Sequence, residues 1–463
     1  MIKALDKYTT SLKNVLETIK YSFFIKNIRR GTDFIDPWCD FDQMEKILDK
    51  VAVNHSNIIK LFYLGKPMDY NELINNVNKN DIENLIEGCI LIKDDKIVKT
   101  NNLAVLLYQG LTILAEINPW YKTCSNKNTD VYIGFDSLRL AENIAFDKET
   151  EVLDLCSGTG IQGMIAAKSA KRVISVEINE KAAQFAKFNI KLNKLENIME
   201  VRIGDLFSVV KDEKFDYIYA NPPFIPMLNN VNYPICGAAG EDGLMVLKEI
   251  FQDLKNYLKP CGTSCIFCQC IGDKNNIFFN ENVKNLAKDN AWDVSCIVTD
   301  KIPLRFQAKT LAELTGLFNK DFDENKFYDE MTKIYSNLNA EYLYSILYKV
   351  DTKLKRYNFD ELKLYNKWSL ADKASINSNI DIVKNDDSYS ILKDGNRTGY
   401  FDNEALEIFN ALKEGYNIEN IAKILYDKFK NNEKFKRYGL PGLECEILDS
   451  CFKMEQLGLI QRN

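Results

Sequence analysis

Between about residues 130 and 350 the chain alternates short apolar runs with amphipathic helical stretches: EVLDL, RVISVEI, MEVRIGDL, FDYIYAN, GTSCIFCQC and WDVSCIVTD. Apolar runs of that length belong to strands buried on both faces, and strands alternating with helices predict a doubly wound parallel sheet. A seventh run, Glu341 to Val350, follows a helical insertion at about 308–337 and is expected to be the last strand. The fold class is therefore α/β, with a Rossmann-like sheet of seven strands over residues 126–355.

The chain has 463 residues, more than a single unit of roughly 150 accommodates, and its two ends read differently from the middle. Residues 1–125 are mainly helical. Apolar positions spaced by three and four predict a helix over 42–64, stopped by Gly65-Lys66-Pro67, then a short helix from Tyr70 to Val77. Asp81 is expected to cap the next helix, and Ile92 to Val98 to form two strands around an Asp-Asp turn. That order is a winged-helix pattern, or a generic helical cap with one hairpin. Residues 356–372, charged and aromatic, predict a helical connector. Residues 373–463 hold three strand candidates (IDIVK, YSILK, TGYF) and three helices at Asn403–Leu412, Ile418–Phe429 and about Cys445–Leu457.

The strongest chemical signal is Asp154-Leu155-Cys156-Ser157-Gly158-Thr159-Gly160, a glycine turn between the first strand and the first helix of the sheet, where free helix N–H groups and close backbone approach suit a ligand. Alone it reads equally as a tight join. About twenty residues later the second strand ends in Glu177, placed to accept both ribose hydroxyls of an adenosine. The third strand ends in Gly204-Asp205-Leu206, where a carboxylate can accept from an exocyclic amine. The fourth ends in Asn221-Pro222-Pro223-Phe224, two prolines that a core strand would otherwise not explain.

Together these elements resemble class I S-adenosylmethionine-dependent methyltransferases, in the amino-methyltransferase branch with Asn-Pro-Pro-Phe, over residues 126–355. The resemblance implies S-adenosylmethionine as cofactor, with Asp154, Gly158 and Gly160 facing its methionine part, Glu177 its ribose and Asp205 its adenine. It also places Cys156, Ile178, Leu206 and Asn221 in the cofactor site, and Asn221, Pro222, Pro223 and Phe224 in the catalytic one. An amide or ring-attached NH2 has a delocalised lone pair and must be aimed; Asn221 Oδ1 and the Pro222 carbonyl can accept its two hydrogens, and Phe224 can stack on the planar group. No strong base is needed. Gly240-Glu241-Asp242-Gly243-Leu244 resembles a loop of release-factor glutamine and ribosomal-RNA guanine methyltransferases, or is simply a helix-capping turn. Gly134-Phe135-Asp136-Ser137 could cap a helix and lie over the cofactor. The last 80 or so residues resemble the PqqD-type peptide-recognition fold, a winged-helix relative, to which a peptide could add as a strand.

Sixty basic against sixty-six acidic side chains leave a net charge of −6, so no global drive toward phosphate exists. The single histidine, His55, lies in a helix-like stretch and excludes His-rich metal sites. Cys261, Cys265 and Cys268 have the radical-SAM cluster spacing, with Cys270 beside them, but on a strand Cys265 and Cys268 point to opposite faces; buried thiols are the simpler reading, and no metal is expected. The run Lys428, Lys430, Lys434, Lys436, Arg437 is a solvated helix end or a partner patch. No apolar run of about eighteen residues and no signal-like amino terminus is present, so a cytoplasmic protein without a membrane segment is expected. The expected activity is N-methylation of a planar amide or amine of a peptide or protein. Its alternatives are an RNA or DNA base, a small natural-product amine, and a cofactor-sensing DNA-binding regulator. The oligomeric state stays open, a dimer included.

Overall fold

A computed structural model of the protein describes residues 1–28, 41–50, 55–117, 129–145, 147–228, 231, 233–319, 321–365, 368–385, 388–429 and 433–463. Helices α1 (Asp6–Thr18), α2 (Tyr21–Ile28), α3 (Phe41–Lys50) and α4 (Ser56–Leu64) open the chain. The helix expected over 42–64 is thus two, with residues 51–54 outside the described residues, and His55 occupies the N-cap of α4 without a side-chain cap bond. Gly65, at φ 67°, ends α4 in the left-handed conformation that glycine tolerates. Next come β1 (Met68–Asp69), α5 (Tyr70–Asn76), α6 (Lys79–Glu87), β2 (Leu91–Asp94) and β3 (Ile97–Thr100), in a small sheet of order β1-β3-β2. The cap of α6 is Asn78 rather than Asp81. Its side chain accepts from Asn80 N at 2.8 Å, and Asp81 falls in the first helical turn, where a carboxylate meets the positive end of the helix dipole. A hairpin of β4 (Leu103–Tyr108) and β5 (Leu111–Glu116) has no counterpart among the expected elements.

The central unit runs α7 (Phe135–Ala141), β6 (Glu151–Leu155), α8 (Ile161–Ala166), β7 (Arg172–Glu177), α9 (Glu180–Leu192), β8 (Met199–Ile203), β9 (Phe215–Ala220), α10 (Met245–Tyr257), β10 (Leu258–Gly272), α11 (Asn280–Asn290), β11 (Asp293–Pro303), α12 (Leu304–Phe318), α13 (Glu324–Asn337), β12 (Tyr342–Asp351) and β13 (Asn358–Lys363). The sheet order is β13-β11-β12-β10-β9-β6-β7-β8, with only β12 antiparallel to its neighbours. Without β13 this is a seven-stranded sheet, as expected from the sequence; β13 makes it eight. β13 corrects the expected helical connector. Its backbone pairs in parallel with β11 from Asp293↔Asn358 to Val298↔Lys363, because the open edge of β11 needs partners more than an isolated charged stretch needs helical turns.

Alternate residues of each strand feed two cores. On β10, Cys265 and Phe267 join the core on one face, and Ile266, Cys268 and Cys270 join that on the other. Cys265 and Cys268 therefore lie on opposite sides of the sheet. The first core runs without a break from α1 and the β4–β5 hairpin through α8 and α9 to the sheet, so the amino-terminal unit shares its interior with the central one. Asn189 of α9, fully buried, makes this joint: Nδ2 donates to Leu114 O and to Thr159 O, both at 3.0 Å, and Oδ1 accepts from Leu114 N at 2.8 Å.

The carboxy-terminal unit has its own core. It consists of β14 (Ala374–Ile376), β15 (Ile380–Lys384), β16 (Tyr389–Lys393), β17 (Asn396–Phe401), α14 (Asn403–Lys413), α15 (Ile418–Phe429), α16 (Glu433–Gln456) and β18 (Ile460–Arg462). The three expected strands form the sheet β15-β16-β17, and β14 pairs with β18. The last helix begins earlier than the expected 445 and is broken at Gly439, φ 59°, beside Pro441. Lys428 pairs with Glu407 at 2.6 Å; Lys430 and the side chains of Lys434, Lys436 and Arg437 lie outside the described residues. The unit docks on α12 through a 2.6 Å ion pair between Arg305 and the fully buried Glu444 of α16.

Candidate active site

A cavity of about 310 Å³ opens at the carboxyl ends of β6, β7, β8 and β9, where strand order reverses beside β6. Open α/β sheets place ligands at that point. The turn after β6 forms one wall. Ser157 N donates to Val176 O at 3.2 Å and Gly160 N to Ser157 O at 2.7 Å, which folds the backbone through left-handed positions at Cys156, Gly158 and Gly160 (φ 55°, 54° and 80°). A left-handed cysteine is strained, and such strain concentrates where backbone must make room for a ligand.

Of the expected cofactor residues, Cys156, Gly158, Glu177, Ile178, Asp205, Leu206 and Asn221 line the cavity. Asp154 and Gly160 are not on its wall. Asp154, 1% exposed, lies beneath the turn, accepting from Gly163 N and Ser175 Oγ at 3.0 Å each; burial pushes its carboxyl up to about 7 against those two bonds. Gly160 caps α8 instead, so both residues act on the turn's shape. Glu177 takes Gly158 N on Oε2 at 2.8 Å and Asn179 N on Oε1 at 2.9 Å, and desolvation raises its carboxyl. An ionised carboxylate has about four acceptor positions, so two remain for ligand hydroxyls.

The fourth strand brings Asn221 and Pro223 to the wall, while Pro222 is buried behind it. Phe224 is absent from the wall: its ring meets that of Phe267 at 5.8 Å, edge to face, and packs against both cores. Gly243 of the Gly-Glu-Asp-Gly-Leu loop abuts Phe224, and a Cβ there would lie 2.5 Å from Phe224 O. The same loop leads into α10: Asp242 Oδ1 accepts from Leu244 N, the N-cap residue, at 3.0 Å without a side-chain cap bond to the helix itself, and α10 then contributes Met245 and Glu249 to the cavity. Residues 240–244 themselves are not on the cavity wall.

Asp130, Gln162, Cys236 and Glu249 also line the cavity and carried no recognisable motif. Asp130 is held by Lys181 Nζ and Asn179 Nδ2, each at 2.8 Å. The Asp130, Asp136 and Glu177 carboxylates around Cys236, which is itself exposed, push its thiol up; burial, with the Glu177, Asp154 and Asp205 carboxylates, raises the Cys156 thiol well above its ordinary range. Across the cavity, Asn221 Nδ2 donates to Asp136 Oδ2 at 2.7 Å and to Ser137 Oγ at 3.3 Å, while its Oδ1 is buried without a partner. Among the described residues, five carboxylates (Asp130, Asp136, Glu177, Asp205, Glu249) and no Lys or Arg line the cavity.

Residues 133–294 match the methyltransferase small domain. That segment takes in the turn, Glu177, Asp205 and Asn221–Phe224, and leaves both terminal units outside. The chain is 37% identical over 134 residues to a putative protein N5-glutamine methyltransferase of Methanocaldococcus jannaschii, covering 27% of this chain and 66% of that one. It is 30% identical over 160 residues to a release factor glutamine methyltransferase of Thermodesulfovibrio yellowstonii, 32% of this chain and 54% of the other. To a ribosomal protein uL3 glutamine methyltransferase of Francisella tularensis it is 31% identical over 126 residues, 25% and 40% of the two chains. The chain thus spans between 40% and 66% of the length of these relatives.

The cavity of the methyltransferase segment fits S-adenosylmethionine on its own geometry. Glu177 has acceptor capacity left, and the buried Ser157 Oγ beside Gly158 lacks a partner, as a polar ligand would require. The carboxylate-rich walls suit a sulfonium and an ammonium.

Proposed function

We propose that the chain transfers the methyl group of S-adenosylmethionine to a planar amide nitrogen on a side chain of a peptide or protein. The observation that carries this reading is the buried, partnerless Asn221 Oδ1 at the cavity, an acceptor waiting for an N–H. The cofactor supplies an activated, electrophilic methyl group. Asn221 Oδ1 and the Pro222 carbonyl accept the two amide hydrogens, so the nitrogen lone pair is directed at the methyl carbon without prior deprotonation; as the N–C bond replaces the S–C bond, one amide proton leaves the nitrogen for solvent. Glu177 holds the ribose and Asp205 the adenine amine; the turn at Cys156–Gly160 holds the methionine part over Asp154; Ile178 and Leu206 supply apolar contact, and Phe224 braces the clamp.

The relatives' names specify a glutamine, whose side chain is a primary planar amide, on a release factor or on ribosomal protein uL3, which supports a protein acceptor. The cavity's five carboxylates, without a lining Lys or Arg, disfavour a nucleic-acid phosphate backbone at the mouth. The terminal units recruit the substrate: α4 to β3 with sheet order β1-β3-β2 supports a winged helix, and β15-β16-β17 followed by three helices supports a PqqD-like peptide binder. The ten described cysteines are all free, in keeping with a cytoplasmic protein, and among the described residues no helix is long and apolar enough to cross a membrane.

The test is transfer of labelled methyl from S-adenosylmethionine into cell-extract fractions treated separately with protease and nuclease, with Asn221→Ala as control. Label lost to protease and absent with Asn221→Ala is the expected result. Label lost only to nuclease would replace the reading with base methylation.

A further inference from the structure

An asparagine amide can turn over about its last bond and offer either its oxygen or its NH2 to a cavity, and the two faces are nearly the same size. In this site the choice is made by α7. Both hydrogens of Asn221 Nδ2 are taken there, by Asp136 Oδ2 at 2.7 Å and Ser137 Oγ at 3.3 Å. An ionised carboxylate only accepts, so the turned amide would set oxygen against oxygen.

The position of Asp136 is itself arranged by its neighbours. Gly134, at φ −103° and ψ 179°, has an extended backbone that any residue adopts, so conformational freedom is not why glycine is there. Space is the reason: a Cβ on Gly134 would lie 2.3 Å from Asp136 Oδ1 and rotate the carboxylate off Asn221. From the other side, Gln162 Nε2 donates to Ser137 O at 3.2 Å, tying α7 to the first turn of α8 and so to the cofactor turn.

We propose that Asp136 and Ser137, seated by Gly134, are positioning residues that lock the Asn221 amide with its oxygen toward the acceptor, and so restrict the enzyme to nitrogens that bring an N–H. The inference rests on the methyl-transfer reading above. In it Asp136, on the cavity wall, acts through its bond to Asn221.

The experiment compares wild type with Asp136→Asn, Asp136→Ala, Ser137→Ala and Gly134→Ala, using S-adenosylmethionine and the methyl-accepting protein fraction. Asp136→Asn keeps the shape and removes the obligate acceptor; kcat should fall about 10- to 100-fold with the S-adenosylmethionine Kd unchanged, as expected for loss of a charge-assisted bond. Ser137→Ala, which loses the longer bond, should fall by only a few-fold, and Gly134→Ala should resemble Asp136→Asn although it removes no polar group. Desolvation holds the Asp136 carboxyl above its ordinary range, so wild-type kcat should drop on acidification through that raised value. Asp136→Asn should lose the part of that limb that Asp136 carries, while the other titratable groups of the cavity, Asp130, Tyr132, Cys156, Glu177, Asp205, Cys236 and Glu249, are unchanged.

A second readout needs no turnover. In the protein labelled with 15N-asparagine, the Asn221 Nδ2 resonance, assigned by its absence in Asn221→Ala, should move with pH in wild type and stay fixed in Asp136→Asn. An Asn221 resonance insensitive to pH and to Asp136→Asn, or a folded Asp136→Ala with wild-type kcat, overturns the lock. A wild-type protein without transfer to any protein fraction instead overturns the functional reading, and the resonance test still decides the lock.

Discussion

Glu177→Ala is expected to cost affinity for S-adenosylmethionine far more than it costs the fold. The Glu177 carboxyl is 8% exposed and already holds Gly158 N at 2.8 Å and Asn179 N at 2.9 Å, which fixes its plane and leaves acceptor positions for ligand hydroxyls. Two ribose hydroxyls on those positions make two hydrogen bonds to a charged acceptor, each worth about 1.5–3 kcal/mol. Their joint loss, about 3–6 kcal/mol before water refills the space, corresponds to an increase in Kd of roughly 100- to 10,000-fold. Glu177→Gln should fall between wild type and alanine, because one oxygen survives while the new NH2 faces a backbone N–H and meets donor with donor. The assay is titration calorimetry with S-adenosylmethionine and, in parallel, with adenosine. Since the ribose is common to both, the loss should be alike for the two ligands. A Kd within threefold of wild type for Glu177→Ala, or a loss confined to S-adenosylmethionine, would refute the ribose assignment.

Two further expectations concern shape and pH. Gly243 has φ 71° and a Cβ there would meet Phe224 O at 2.5 Å, so Gly243→Ala should lower Tm by the left-handed cost of about 1–2 kcal/mol and cut kcat by moving the Asn221–Phe224 segment, with cofactor Kd intact; unchanged kcat would detach the loop from the clamp. Glu444, fully buried, is pushed from 4.5 to about 7 by desolvation that outweighs Arg305, so the folded state holds a proton that the unfolded chain releases between those values. Stability from this group is full below about 4.5 and declines as pH rises through about 7, by on the order of 3 kcal/mol at most. Thermal melts from pH 5 to 8 should show wild type losing Tm faster than Glu444→Gln, and parallel slopes would contradict the assignment.

What was legible in the sequence was whatever buries two faces. Val152, Leu153 and Leu155 sit within a strand and feed both cores, so the run EVLDL is apolar almost throughout and stands out unaided. Asn358–Lys363 is an edge strand with three of its six residues exposed; its charges and Leu362, within the charged and aromatic stretch 356–372, read as a helix, and only the hydrogen-bonding demand of β11 makes it a strand. Local chemistry also misplaced the cap of α6, because Asn78 and Asp81 are both capping residues and the choice depends on where Ile82 and Leu85 enter the core. In the site, the strand-end residues were readable because the turn and the prolines mark them. Cys236 and Glu249 were not, since they reach the cavity through loop and helix packing that no short pattern encodes.

The same contrast runs through the proposed site. The groups that contact ligands are few and legible, but their orientation comes from residues around them: Asp154 under the turn, Asn189 bridging Thr159 O to the β4–β5 hairpin, and Asp136 with Ser137 behind Asn221. Each satisfies backbone or amide hydrogens that would otherwise be free to reorient, and each sits on an element anchored in a shared core. Orientation of a weakly nucleophilic nitrogen is worth rate only if the clamp itself does not move. The amino-terminal unit is continuous with that core through Asn189, which also ties it to Thr159 in the turn after β6, whereas the carboxy-terminal unit has a core of its own and meets α12 through Arg305 and Glu444.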